Sequence, residues 1–151
     1  MLHKNLIAGE WVTGDTAANI NPSNTNEIVG EYARASAEDT KNAIAAAKVA
    51  LPAWSRSGIL ERHAILKKTG DEILSRKEEL GRLLAREEGK TLPEAIGEVT
   101  RAGQIFDFFA GETLRLAGEV LPSVRPDIGV EITREAVGVV GIITPWNFPI
   151  A

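Results

Sequence analysis

The chain has 151 residues, 44% of them hydrophobic and 25% charged, a soluble globular composition that suits one domain or one domain and the start of a second. A net charge of −4 with no basic block leaves no nucleic-acid footprint. No apolar run approaches the roughly 20 residues of a membrane span, and Met1-Leu2-His3-Lys4-Asn5 has no signal-peptide core, so the cytoplasm is the expected location. Cysteine is absent, which removes disulfides, thiolate metal sites and a cysteine nucleophile from within this sequence.

Residues 5–12 alternate loosely around Gly9-Glu10, as a hairpin or bulge would. Residues 13–16 read as a turn, 20–27 as turn-rich, and 28–32 as a short strand. Ser36 opens a first helix, with Asp39 three residues on as a capping-box variant. Ala43, Ala47, Ala50 and Trp54 recur at helical spacing, and their small size predicts close approach to a neighbouring element. Pro52 should kink or end this helix. A second helix is expected over 60–75. His63 lies there among charges with no second ligand at i+4, and reads as a solvated residue with no metal or proton-transfer role. A third helix over 77–88 closes at Gly89, placed as a C′ glycine.

Thr91-Leu92-Pro93 starts a fourth helix, the longest, expected to reach about Leu116 and stop by Gly118. Val99, Ala102, Phe106, Phe109 and Thr113 recur along it at three to four residues, and the cluster of Phe106, Phe108 and Phe109 reads as core, with the lining of a substrate tunnel as the alternative. Arg101 reads as a surface pair with Glu98 at i,i+3. Residues 121–135 form a linker and hairpin, in which Val130, Ile132 and Arg134 alternate with Glu131, Thr133 and Glu135. Residues 139–143 are short, β-branched and apolar on both alternating sets, the pattern of a strand buried on both faces of a parallel sheet. The glycines of Gly138-Val139-Val140-Gly141 read as close packing inside that strand. Pro145 ends it, so residues 144–148 fall beyond a strand's carboxyl end, where open α/β sheets bind ligands. The Asn147 side-chain amide can donate to a developing oxyanion; asparagine beside prolines and aromatics is equally the stuff of a plain turn.

Thr144-Pro145-Trp146-Asn147-Phe148-Pro149 resembles the Pro-Trp-Asn-Phe-Pro signature of the aldehyde dehydrogenase superfamily. Leu6-Ile7-Ala8-Gly9-Glu10-Trp11, Asn21-Pro22 with Glu27-Ile28-Val29-Gly30, and Glu87-Glu88-Gly89-Lys90 with Glu98-Val99 are similar to further family segments, in the family's order and over nearly the whole chain. The resemblance implies an α/β fold, the N-terminal part of an aldehyde dehydrogenase: N-terminal strands, a four-helix segment, an oligomerisation hairpin strand and the first strand of a Rossmann-like parallel sheet. Its divisions would be 1–120 in the cofactor-binding domain, 121–137 as linker and oligomerisation strand, and 138–151 as first strand and truncated catalytic loop.

It further implies oxidation of an aldehyde to an acid with NAD or NADP. Asn147 would be the oxyanion donor, Ile143, Thr144, Pro145 and Trp146 would contact the cofactor, and Phe148 would lie beside the substrate. Arg101 falls near the substrate channel, where it could meet a substrate carboxylate. The segments around Glu88 and Phe109 look most like members acting on short acidic semialdehydes, α-ketoglutaric semialdehyde first and succinate semialdehyde second, with an unspecific aliphatic aldehyde as a further alternative. The partner is a small-molecule aldehyde, without nucleic acid, membrane or metal, in a homodimer or homotetramer. The nucleophile and general base are expected past Ala151, so the chain alone should be inactive and marginally stable, its 139–143 strand lacking neighbours. The alternative is a non-catalytic fragment or assembly module, acting through the 124–137 strand.

Overall fold

The computed structural model describes residues 2–151. Five short strands come first: β1 (Leu2–His3), β2 (Asn5–Ile7), β3 (Glu10–Val12), β4 (Thr16–Ile20) and β5 (Ile28–Ala33). Strands β2 and β3 form an antiparallel hairpin pairing Leu6 with Trp11. Its turn residues Ala8 and Gly9 both have positive φ, 54° and 86°, the geometry that matches strand twist in a two-residue turn. Strand β5 is central in a second sheet, parallel to β1 and antiparallel to β4. Strand β4 occupies the stretch that reads as turn-rich at its ends. Its Ala17-Ala18 core has weak strand propensity, and the pairing to β5 makes it a strand.

Four helices follow: α1 (Ala37–Trp54), α2 (Ile59–Ser75), α3 (Lys77–Glu88) and α4 (Leu92–Thr113). The Ser36–Asp39 capping box forms in both directions, and a second joins Thr91 to Glu94 at the start of α4. Pro52 lies inside α1, in its last turn, and α1 continues two residues past it. Helix α4 stops at Thr113, short of the expected Leu116. A hairpin of β6 (Glu119–Pro122) and β7 (Gly129–Ile132) follows, paired antiparallel and exposed on both faces.

The core lies where α4 meets α2 and α3. Leu84, Ala95 and Val99 are buried, with Ile73, Leu80, Ala85 and Ile150 packed on them. Helices α2 and α4 approach until a Cβ on Gly70 would sit 3.0 Å from the Gly103 carbonyl oxygen, and one on Gly103 2.6 Å from Leu74 Cγ. Only glycine at both positions allows that crossing.

Several expectations are corrected. Residues 139–143 form no strand; Ile142 and Ile143 are 80% and 97% exposed, because no described segment offers a ladder to their backbone. Gly138 has φ +123°, and a Cβ on it or on Gly141 would touch nothing within 4 Å, so these glycines are not close packing. Of the expected stripe on α4, Val99 and Ala102 are buried and Phe106 is half-buried, but Phe108 and Phe109 are more than half exposed and pack edge-to-face on each other, while Ala95 joins the core face. The alanines of α1 are not buried, but Ala47 and Ala50 line a groove with residues 138–140. His63 is half-buried, its Nδ1 2.9 Å from the Ala110 carbonyl. A carbonyl only accepts, so Nδ1 donates and the ring ties α2 to α4.

Candidate functional site

The corner at 146–149 is held by the α3–α4 junction, and the junction is set by the loop at 21–27. Asn21 is buried; its side chain donates to Glu27 at 2.8 Å and accepts from the Ser23 N–H at 2.9 Å. Arg86 at the end of α3 donates to the other Glu27 oxygen at 2.6 Å, and Ser23 Oγ donates to the Gly89 carbonyl at 3.1 Å. The Asn21 hydrogen bond, then that of Arg86, holds the Glu27 carboxyl below the usual glutamate range. Gly89 has φ +84°, and a Cβ there would sit 2.7 Å from Pro22 Cγ; no other residue turns the chain so sharply against that loop.

This sharp turn delivers Lys90. Its ammonium meets the buried Glu98 carboxylate, lies 3.0 Å from Glu88 Oε2, and donates to the Asn147 backbone carbonyl at 3.0 Å. It also stands 4.5 Å from the centre of the Phe148 ring. Burial works against the charge on Lys90, but the hydrogen bonds to Glu98 and Glu88 outweigh it and raise the lysine above its ordinary value. The second Glu98 oxygen accepts the Ile150 backbone N–H at 3.0 Å. One buried carboxylate on α4 thus holds the corner at both ends.

Asn147 and Phe148 share a cleft of about 230 Å³ with Glu88, Lys90 and Glu94. The Asn147 side chain is exposed and, among the described residues, has no hydrogen-bond partner. Ile143, Thr144, Pro145 and Trp146 are exposed as well, Trp146 at 87%. Arg101 is exposed on α4 and does not line this cleft. Its expected pairing with Glu98 is absent, because Glu98 is turned inward to Lys90. The larger hollow along α2, about 590 Å³, is an open surface trough lined by Lys67, Lys68, Asp71 and Glu72, remote in sequence from the corner.

Sequence reading missed Lys90 and Glu98 as part of this site. The available signal was Glu98 itself, a charged residue on the same helical stripe as Ala95 and Ala102. Among the described residues no cluster of histidine and acidic side chains could hold a metal ion, and no helix is long and apolar enough to cross a membrane.

The geometry can be set beside known proteins. Residues 11–151 match the sequence model of the aldehyde dehydrogenase family. The chain is 45% identical over 150 residues to the alpha-ketoglutaric semialdehyde dehydrogenase of Bacillus subtilis (strain 168), covering 97% of this chain and 31% of that protein. It is 38% identical over 148 residues to a mitochondrial succinate-semialdehyde dehydrogenase of Arabidopsis thaliana, covering 97% of this chain and 28% of the relative. The crystal structure of an aldehyde dehydrogenase from Brucella melitensis biovar abortus 2308 superposes with a TM-score of 0.93 at 33% identity, over 98% of this chain and 31% of that one. The chain therefore spans under a third of the length of these relatives.

Proposed function

The chain belongs to the aldehyde dehydrogenase family, and from that premise we propose that it forms the front of an enzyme oxidising a short acidic semialdehyde to its carboxylic acid with NAD or NADP. The carrying observation is the Asn147 corner: its backbone carbonyl is occupied by Lys90, while its side-chain amide is free and exposed at a cleft. In this reading a thiolate adds to the aldehyde carbon, the C=O pair moves to oxygen, and one Asn147 side-chain N–H donates to that oxyanion. The thiolate comes from outside residues 1–151, which contain no cysteine. A nicotinamide held at this corner would supply the hydride acceptor; loss of the hydride leaves a thioester, and water then adds to that thioester and expels the thiolate to give the acid. The residues present fit one edge of such a cofactor: Ile143 and Trp146 present exposed apolar side chains, and Thr144 and Pro145 between them are exposed as well. Phe148 would bound the substrate beside Asn147.

The semialdehyde, α-ketoglutaric first and succinate second, is supported by likeness to relatives named for those substrates. Arg101 is our candidate for the substrate carboxylate, since it is exposed and has no ion-pair partner among the described residues. The same reading includes the divisions 1–120, 121–137 and 138–151, a homodimer or homotetramer paired through the β6–β7 hairpin, and the cytoplasm as location; cross-linking and cell fractionation test the last two.

An intact mass comes first: about 16.2 kDa would mean that the chain works alone, without dehydrogenase turnover. The exposed hairpin would then favour the second reading, an assembly module. A larger mass allows the decisive assay. In the complete enzyme Asn147→Ala should lower kcat on the order of a hundred- to a thousandfold; near wild-type turnover would end the oxyanion assignment. Arg101→Leu should raise KM for the acidic semialdehyde by roughly tenfold or more, and leave a neutral aldehyde unchanged.

A further inference from the structure

We propose that Lys90 and Glu98 are positioning residues that set the orientation of the Asn147 amide, acting through the backbone of 147–150. The inference rests on the oxyanion reading of Asn147 and goes beyond it, because neither residue reaches a reacting atom.

Three observations carry it. Glu98 is 3% exposed, inside α4 and on its buried face. Its two oxygens are divided, one to the Lys90 ammonium and one to the Ile150 N–H at 3.0 Å. Lys90 in turn donates to the Asn147 carbonyl at 3.0 Å. The carbonyl of one residue and the N–H of another three positions later are therefore fixed to the same carboxylate, one through a lysine and one directly. The Ile150 side chain, packed on the Leu84–Ala95–Val99 cluster, locks the far end. With both ends of the corner held, little freedom is left to the peptide planes that aim the Asn147 side chain.

The chemistry argues against the other obvious role for Lys90, a direct grip on the substrate carboxylate. The ammonium donates to Glu98 and to the Asn147 carbonyl and lies 3.0 Å from Glu88 Oε2, so its charge is already matched by two carboxylates. Lys90 is spent on the protein.

A double-mutant cycle in the complete enzyme tests the proposal. Lys90→Met should lower kcat on the order of a hundredfold, since displacement of a catalytic group by about 1 Å costs that much. KM values for aldehyde and cofactor should stay within about twofold. Lys90→Met combined with Asn147→Ala should be no slower than Asn147→Ala alone, because in this proposal the effect of the lysine on kcat runs through that amide. Losses that multiply would overturn the proposal, as would Lys90→Met with unchanged kcat. Asn147→Ala with unchanged kcat would instead sink the oxyanion reading beneath it. Glu98→Gln keeps the shape and an acceptor for Ile150; it goes through the same cycle and is expected to behave likewise, which covers the case of an unfolded Lys90→Met. Amide exchange in this chain reads the tie without turnover. The Ile150 amide should exchange at least about tenfold more slowly than that of Ile142; equal rates would show the anchor does not hold.

Discussion

The α3–α4 junction and the segment at 137–148 are built from similar stock, and they end in opposite states. Around Leu84, Val99 and Ile150 apolar side chains are covered, and both oxygens of the buried Glu98 carboxylate are used. At 139–143 side chains of the same kind stand in solvent, without a ladder. A helix satisfies its backbone from its own residues, so α3 and α4 need only a face to bury. A strand satisfies nothing alone; its N–H and C=O groups need two neighbours. The β6–β7 hairpin makes the intermediate case, paired along one edge and open on the other.

The largest effect that separates the regions is expected at Glu98. Glu98→Ala leaves Lys90 half-buried beside Glu88 alone and removes the acceptor of Ile150. Breaking a buried pair from one side costs about 3–5 kcal/mol, read as a lowered denaturation midpoint. Leu84→Ala should cost about 2–5 kcal/mol by opening a cavity, whereas Ile143→Ala, 97% exposed, should stay within about 0.5 kcal/mol. Equal costs at the two sites would mean that the 137–148 segment is covered in solution, and the contrast would fail. Gly103→Ala comes next: its Cβ would sit 2.6 Å from Leu74 Cγ, so α2 must move from α4, at about 1–3 kcal/mol.

What the sequence made legible follows the same division. Helix α3 fell on its expected residues, and the Ser36 cap and Gly89 turn were readable, because each rests on contacts within a few positions. Helix α4 was found, and its stripe was right at Val99 and Ala102, which are buried; it ran wrong at Phe108 and Phe109, which stand more than half exposed, and it passed over Ala95, although small residues are what a close helix crossing requires. Strand β4 was missed because only its pairing to β5 makes Thr16–Ile20 extended. The 139–143 pattern reads as a buried strand, and the missing quantity is the neighbouring strand, which no pattern inside the segment can supply. At the site, Asn147 stood out by residue type and position, while Lys90 and Glu98 act across 57 and 52 residues of chain. The hydrogen bond from Lys90 to Glu98 is tertiary, and periodicity records only that Glu98 faces inward.

The smallest effect expected is a pH dependence confined to the helical half. Asp39 is held below its ordinary value of 3.8, first by the Ser36 backbone N–H and then by the Ser36 hydroxyl. Glu94 is held below 4.5 by the Thr91 hydroxyl and then its backbone N–H. A depressed carboxyl binds its proton more weakly folded than unfolded. Its stabilising contribution is therefore complete above the ordinary value and is lost as pH falls through the folded one. Thermal melts should be flat from neutrality to about pH 5 and decline below the 4–4.5 region. Asp39→Asn with Glu94→Gln keeps both capping shapes and removes both protons, so it should flatten that decline. Residues 137–151 carry no titrating side chain and cannot contribute to it. An unchanged acid slope in the double variant would move the origin to the remaining depressed carboxyls, Glu27 under Asn21 and Arg86 and Glu79 under Arg76. Both of those also lie outside the 137–151 segment, so the acid response would still report on the packed half of the molecule.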